Sequence, residues 1–133
     1  MKNIAQLFWL LSDPTRLRIL MLLDRQELCV CQLMGVLGVS QPLISRNLSL
    51  LWKENLLDER RQGKLAFYKV KTALADPAAK VLGMLRGQLR GDEELARDLR
   101  SLSDCQAFQK KAGACDMKTF LAFMERQRKK KQK

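Results

Sequence analysis

Three residues, Gly38-Val39-Ser40, separate two short apolar helices, and that spacing leaves this part of the chain few ways to fold. Leu33 and Leu37 lie one helical turn apart before the break, and Ile44, Leu48 and Leu51 form an inner stripe after it. Gly38 can take the left-handed conformation that ends a helix at little steric cost. Ser40 is placed to cap the next helix, and Pro42 is tolerated in its first turn, where amide protons have no helical acceptor. Two short helices around so tight a turn form a helix-turn-helix.

The flanks agree with that element. Ile4, Leu7, Phe8 and Leu11 recur at helical spacing and predict an N-terminal helix with one buried stripe. Asp13-Pro14 offers a cap followed by proline at the first helical position, opening TRLRILMLL, a helix apolar on most of its circumference and so central to the core. After the second short helix, LLDERRQGKLAFYKVK contains two strand-like runs around Gln62-Gly63-Lys64. Arg60, Arg61 and Lys64 cluster near the tip, while Ala66, Tyr68 and Val70 share one face. A helix-turn-helix followed by a basic hairpin is a winged helix, so the expected fold is mainly α with a small β-hairpin.

Asp76-Pro77 looks like a second cap-plus-proline start, leading into a stripe of Ala78, Val81, Leu82, Leu85 and Leu89. Gly83, Gly87 and Gly91 recur every four residues, which suits either a smooth stripe for a partner helix or an interrupted helix. Beyond Asp104 the pattern weakens. Met117, Phe120, Leu121 and Met124 predict one more short amphipathic helix, and Arg126 to Lys133 reads as a disordered, solvated charge run. The expected organisation is a DNA-binding and dimerisation domain over 1–104 and an extension over 105–133.

Charge points to the partner. Of the formal net charge of +11, residues 28–71 hold seven Lys/Arg against three acids, and residues 126–133 hold six against none. Residues 73–104 hold five against six. Positive charge confined to one central segment and one tail is the distribution of a nucleic-acid binder. In the second short helix Gln41, Ser45 and Ser49 are spaced by four opposite the apolar stripe, with Arg46 and Lys53 beside them. Arginine offers a fork to guanine and glutamine a donor–acceptor pair to adenine in the major groove. A polar face also arises simply from exposure to solvent; the basic hairpin that follows favours the groove. No run approaches the roughly 20 apolar residues of a membrane span, and LFWLL is too short for a signal-peptide core. A cytoplasmic protein without membrane contact is expected. With no histidine, no CxxC pair and no phosphate-binding glycine loop, catalysis is not expected.

In a reducing compartment four cysteines are metal-binding, redox-sensing or buried packing rather than a disulfide framework. ELCVCQL (Glu27–Leu33) puts Cys29 and Cys31 one residue apart, just ahead of the reading helices; Cys105 and Cys115 lie far downstream.

LSDPTRLRILMLL, ELCVCQL, SQPLISRNLSLL and RRQGKLAFYKV, in that order and spacing, resemble the arsenic-responsive branch of the ArsR/SmtB metalloregulatory repressors. The resemblance covers residues 4–71, and the next helix resembles the family's dimerisation helix. It implies a homodimer, joined through the N-terminal and post-wing helices, that binds a dyad-symmetric operator and releases it on binding ligand. By position, Gln41, Ser45 and Arg46 match the recognition helix, with Ser40 and Ser49 on its face, and Arg60, Arg61 and Lys64 match the wing. Cys29 and Cys31 match the sensor pair. A common third cysteine of that motif is here Met34, a poor substitute for a thiolate. The third ligand would be Cys105 or Cys115 of either subunit or a small external thiol, unless the ligand is an organic arsenical needing only two. Without histidine the imidazole sites of zinc, nickel and cobalt sensors are unavailable, and no cysteine precedes Cys29 as in the cadmium/lead branch. As(III) or Sb(III), inorganic or organic, is expected and zinc is not.

Two other readings use the same residues. A thiol redox or persulfide sensor would pair Cys29 or Cys31 with Cys105. An architectural DNA- or RNA-binding protein would respond to no thiol ligand. For the arsenic reading the expected mechanism is mechanical. In a regular helix residues i and i+2 point about 200° apart, and in a strand their Cα atoms lie about 6.6 Å apart. Closing Cys29 and Cys31 on one atom should therefore distort the start of the first reading helix.

Overall fold

A computed structural model describes residues 1–114 and 116–131. The chain runs α1 (Lys2–Leu11), α2 (Pro14–Arg25), β1 (Leu28–Cys29), α3 (Val30–Leu37), α4 (Gln41–Lys53), β2 (Leu57–Gln62), β3 (Leu65–Val70), α5 (Ala78–Gln88), α6 (Glu93–Ala112) and α7 (Met117–Lys131). It is the expected winged helix, mainly α, with one addition: β1 joins the hairpin as a third antiparallel strand in the order β1-β3-β2. Cys29 pairs with Phe67 and Leu57 with Val70.

The local signals act as read at most joints. Asp13 accepts a hydrogen bond from Arg16 N at 3.0 Å, with Pro14 at the start of α2. Gly38 ends α3 at φ 66°, and its amide donates to Met34 O at 2.8 Å. Ser40 is the N-cap residue of α4, though its hydroxyl makes no capping bond. Gly63 opens the two-residue hairpin loop at φ 61°, the place where a type II′ turn requires glycine.

Other joints differ. Asp76 does not cap: Pro77 is itself the N-cap residue of α5, and the Asp76 carboxylate lies 3.6 Å from Lys80 Nζ. α5 stops at Gln88, and Gly91 belongs to the turn after it (φ 82°). In α1 the buried side chains are Leu7 and Leu10, while Ile4 and Phe8, expected inside, are exposed. α1 packs on α2, and its Ile4, Phe8 and Trp9 side chains are left about half exposed.

The largest departure is at the C-terminus. α6 runs through residue 104 without a break, and α7 continues through the charge run to Lys131. Asp92 accepts from Leu95 N at 3.0 Å to start α6, and Gly113 at φ 67° ends it. The buried stripe of α6 is Leu95, Asp98, Leu102 and Cys105. A carboxylate and a thiol interrupt the apolar pattern, which explains why periodicity fades there. Asp98 is buried because Arg18 of α2 forks onto it, Nε–Oδ2 3.0 Å and Nη2–Oδ1 2.9 Å.

α6 and α7 form a hairpin that closes over α3. Phe120 and Phe123 are 0% and 2% exposed, Phe108 meets Phe123 at a centroid distance of 5.5 Å, and the predicted core residue Leu121 faces solvent instead. A Cβ on Gly35 would stand 3.4 Å from both phenylalanine rings, so glycine sets how closely α7 approaches. Phe123→Ala should therefore cost about 3–5 kcal/mol and speed amide exchange in α7. Urea unfolding with hydrogen-exchange mass spectrometry checks this, and a loss below about 1 kcal/mol would show that the hairpin is not part of the core.

Candidate functional site

Cys29 and Cys31 sit where strand becomes helix. Cys29 ends β1 in an extended conformation (φ −97°, ψ 172°) and is the N-cap residue of α3; Cys31 lies in that helix's first turn. The backbone amide of Cys29 donates to Gln32 Oε1 at 3.0 Å, so residues 29 and 32 hold the two ends of a capping box. Gln32 Nε2 then donates to Gln109 Oε1 of α6 at 3.1 Å. The pair is thus neither within a regular helix nor within a strand. It straddles the junction, and the two thiols are close enough for the charge of Cys29 to act on Cys31.

Both thiols are buried, at 1% and 8% exposure. Burial pushes the Cys31 thiol above its usual range, and the charges of Cys29 and Asp116 push it further. Asp116, just before α7, is held below the usual carboxyl range by hydrogen bonds from Thr119 and so stays ionised. Its influence on Cys31 brings the start of α7 to the start of α3. No motif pointed to Asp116, because its relation to Cys31 exists only in the folded hairpin.

The structure separates the other two cysteine candidates. Cys105 is buried in α6, its Sγ 3.4 Å from where a Gly35 Cβ would stand, one helical turn along α3 from Cys31. Cys115 lies outside the described residues. Among the described residues no group of three or more His, Cys, Asp or Glu is arranged to hold a metal ion.

On α4 the faces divide as the spacing predicts. Ser40, Gln41, Ser45, Arg46 and Ser49 are exposed, while Ile44, Leu48 and Leu51 are buried. Asn47 also turns inward, a residue the polar spacing did not single out. Its Oδ1 accepts from Arg16 Nη1 at 3.4 Å, and Arg16 also donates through Nε to Leu10 O at 2.5 Å and lies 4.9 Å over the Trp9 ring. One arginine therefore links α1, α2 and the inner face of α4.

The wing cations divide too. Arg60 is turned to Glu27 at 2.7 Å and stacks 4.8 Å over Phe67, fastening β2 to the segment that leads into the thiol pair. Arg61 is 77% exposed and meets Glu59 at 2.9 Å. Lys64 stands exposed in the turn. The residues the sequence grouped as one basic tip are one anchor and two outward cations.

Comparison with known proteins agrees with this geometry. Residues 13–59 match the family described as "Bacterial regulatory protein, arsR family". An arsenical resistance operon repressor from Escherichia coli (strain K12) is 47% identical over 78 residues, 58% of this chain and 67% of that protein. A transcriptional repressor SmtB homolog from Synechocystis is 39% identical over 69 residues, 52% of each chain. The matched region thus spans about half to two thirds of these relatives. The crystal structure of NolR from Sinorhizobium fredii is 32% identical, covering 63% of this chain and 81% of that one, with a TM-score of 0.56. From the matched motif, the order of elements and these relatives, the chain belongs to the ArsR family of bacterial transcriptional regulators.

Proposed function

We propose that the chain is an arsenic-responsive transcriptional repressor, binding operator DNA as a homodimer and letting go when trivalent arsenic or antimony, inorganic or organic, bonds to Cys29 and Cys31. The observation that carries this reading is the pair of buried thiols at the N-cap and in the first turn of α3. A relative named for arsenical resistance and the chain's lack of histidine support the same ligand class. The cytoplasm, where thiols stay reduced, is the compartment that suits it.

Capture is a ligand exchange. Each thiol gives up its proton and forms a sulfur–arsenic bond, and hydroxide on arsenic leaves with that proton as water. Two thiols suffice for an organic arsenical; inorganic arsenite can add a third from Cys105, Cys115 or a small external thiol. Because Cys29 is both ligand and N-cap residue, sulfur bonded to arsenic no longer faces the capping box as before. α3 is buried along its length and leads within three residues into α4. A shift at its start is passed to the recognition helix, whose Gln41, Ser45 and Arg46 read the groove in this proposal, with Ser40, Ser49, Arg61 and Lys64 beside them. A tilt relative to the twin helix spoils the spacing of the two half-sites.

The dimer reading rests on surface left over. Ile4, Phe8 and Trp9 of α1 and Met84 of α5 are about half exposed, at 47%, 55%, 51% and 50%. The two helices adjoin through Leu7, Leu11, Ala78, Leu82 and Leu85. Exposed apolar side chains gathered on adjoining helices mark an association surface.

Four outcomes are expected. Arsenite and phenylarsine oxide should each release the reduced wild-type protein from the DNA upstream of its own gene, read by fluorescence anisotropy, while Cys29→Ser stays bound; equal release of both proteins would sink the mechanism. Thiolate is the attacking form, so capture of phenylarsine oxide should accelerate as pH rises through the range to which Cys31 is raised. Asp116→Asn removes one negative charge and should speed capture at neutral pH in stopped-flow measurements; an unchanged rate would remove Asp116 from the site. Finally, Ile4→Glu with Phe8→Glu should sediment as a folded monomer, whereas an intact dimer would place the interface elsewhere.

A further inference from the structure

The C-terminal hairpin lies on α3 in a fixed direction. Along α6, Gln109 bonds Gln32, Cys105 faces Gly35, and Ser101 Oγ donates to Val36 O at 2.9 Å, so α6 runs antiparallel to α3. Along α7, Asp116 acts on Cys31, Phe120 and Phe123 lie over Gly35, and Met124, Gln127 and Arg128 adjoin the stretch ending at Gly38, so α7 runs parallel to α3. The first half of α6 and the last half of α7 therefore converge beside the helix-turn-helix turn. They enclose an open cleft of about 600 Å³ floored by residues 35–38.

The charges around that cleft are not balanced. Of its carboxylates, Asp98 and Glu94 are taken up by Arg18, at 2.9 and 3.4 Å, which leaves Asp104. Its rim carries Arg97 and Arg100 from α6 and Arg128 from α7, all exposed, and none forms an ion pair among the described residues. Lys129 and Lys130 lie outside the cleft, in a separate groove along α7 with Ala122, Glu125 and Arg126. An unpaired fork of arginines in a groove is suited to phosphate oxygens.

Its place names the phosphate. A recognition helix contacts base edges with its N-terminal residues, and Gly38 is three residues from Gln41, where α4 begins. Cations at the turn therefore stand next to whatever flanks the bases read by α4. Half to two-thirds of protein–DNA hydrogen bonds go to the backbone.

We propose that the cleft between α6, α7 and the turn seats the DNA sugar–phosphate backbone flanking the α4 contact, held by Arg97, Arg100 and Arg128. This rests on the reading of the chain as a DNA-binding regulator and extends its footprint beyond helix and wing. The basic end of α7 is a placed helix rather than a loose tail, so its contribution depends on position and not only on charge.

The test is the salt dependence of binding to a mixed-sequence 40-base-pair duplex by the full-length reduced protein. Each phosphate contact contributes about −0.9 to the slope of log K against log salt. Arg128→Gln should flatten the slope by about one, and Arg97→Gln with Arg100→Gln by about one to two. All three side chains are exposed, so thermal unfolding should be unchanged, and Arg128→Lys should keep most of the slope. Lys110→Gln with Lys111→Gln removes as much charge as the Arg97/Arg100 pair from the opposite end of the hairpin and should leave the slope as it was. An unchanged slope in the cleft variants overturns the inference, as does an equal change in the Lys110/Lys111 variant, which would indicate bulk charge. Wild-type protein that binds no DNA would overturn the regulator reading as well, so the two failures are distinguishable.

Discussion

Helix α3 has no solvent face. Every residue from Cys31 to Leu37 is buried, and the rest of the molecule is arranged to make that so. α4 packs on it from the core side, and α6 and α7 close the other. A fully buried helix needs each polar group satisfied: Gln32 is paired at both ends of its amide, with Cys29 N and with Gln109. It also needs a surface that admits close neighbours, which Gly35 supplies beneath two phenylalanine rings. With packing this dense, a disturbance at the first turn cannot be absorbed locally.

The two ends of that helix meet different surroundings. It starts at Cys29 and Cys31 and passes at its other end through Gly38 into α4, whose Gln41, Ser45 and Arg46 are exposed. In the proposed mechanism, ligand chemistry at the start and DNA geometry at the end share one helix of eight residues. The C-terminal hairpin lies along the same helix, Asp116 near the thiols and Arg128 near the turn. A regulator built this way needs no flexible linkage between sensing and reading.

The relation between pattern and structure can be followed at particular residues. The turn at Gly38, the cap at Asp13, the hairpin at Gly63 and the two faces of α4 were legible because each depends on a few neighbouring residues. The arsenic-type motif was legible for a similar reason, since Cys29 and Cys31 are close in sequence. The stripe of α6 was not, because Asp98 counts as polar until Arg18, eighty residues away, neutralises it. Leu121 and Phe123 exchange roles for a related reason. A short amphipathic pattern fits several helical phases, and only the groove beside Gly35 selects the one that buries Phe123. Ile4 and Phe8 were assigned to a core that one chain does not contain.

By itself the sequence determined the helices and hairpin up to the post-wing helix, the class of fold, the family and the chemistry on offer: soft thiols, no imidazole, a Gln/Ser/Arg helix face and a basic wing. These follow from local rules of capping, periodicity and side-chain type, which act over one or two turns. Only the tertiary structure decided that Cys29 and Cys31 sit at a strand-to-helix junction, that Arg60 pairs with Glu27, that Asp116 acts on Cys31, and that the basic stretch to Lys131 is helical with Arg128 beside the turn at Gly38. Each of those is a relation between residues distant along the chain. It is fixed by how buried surfaces fit and by which charges are left without a partner once they do.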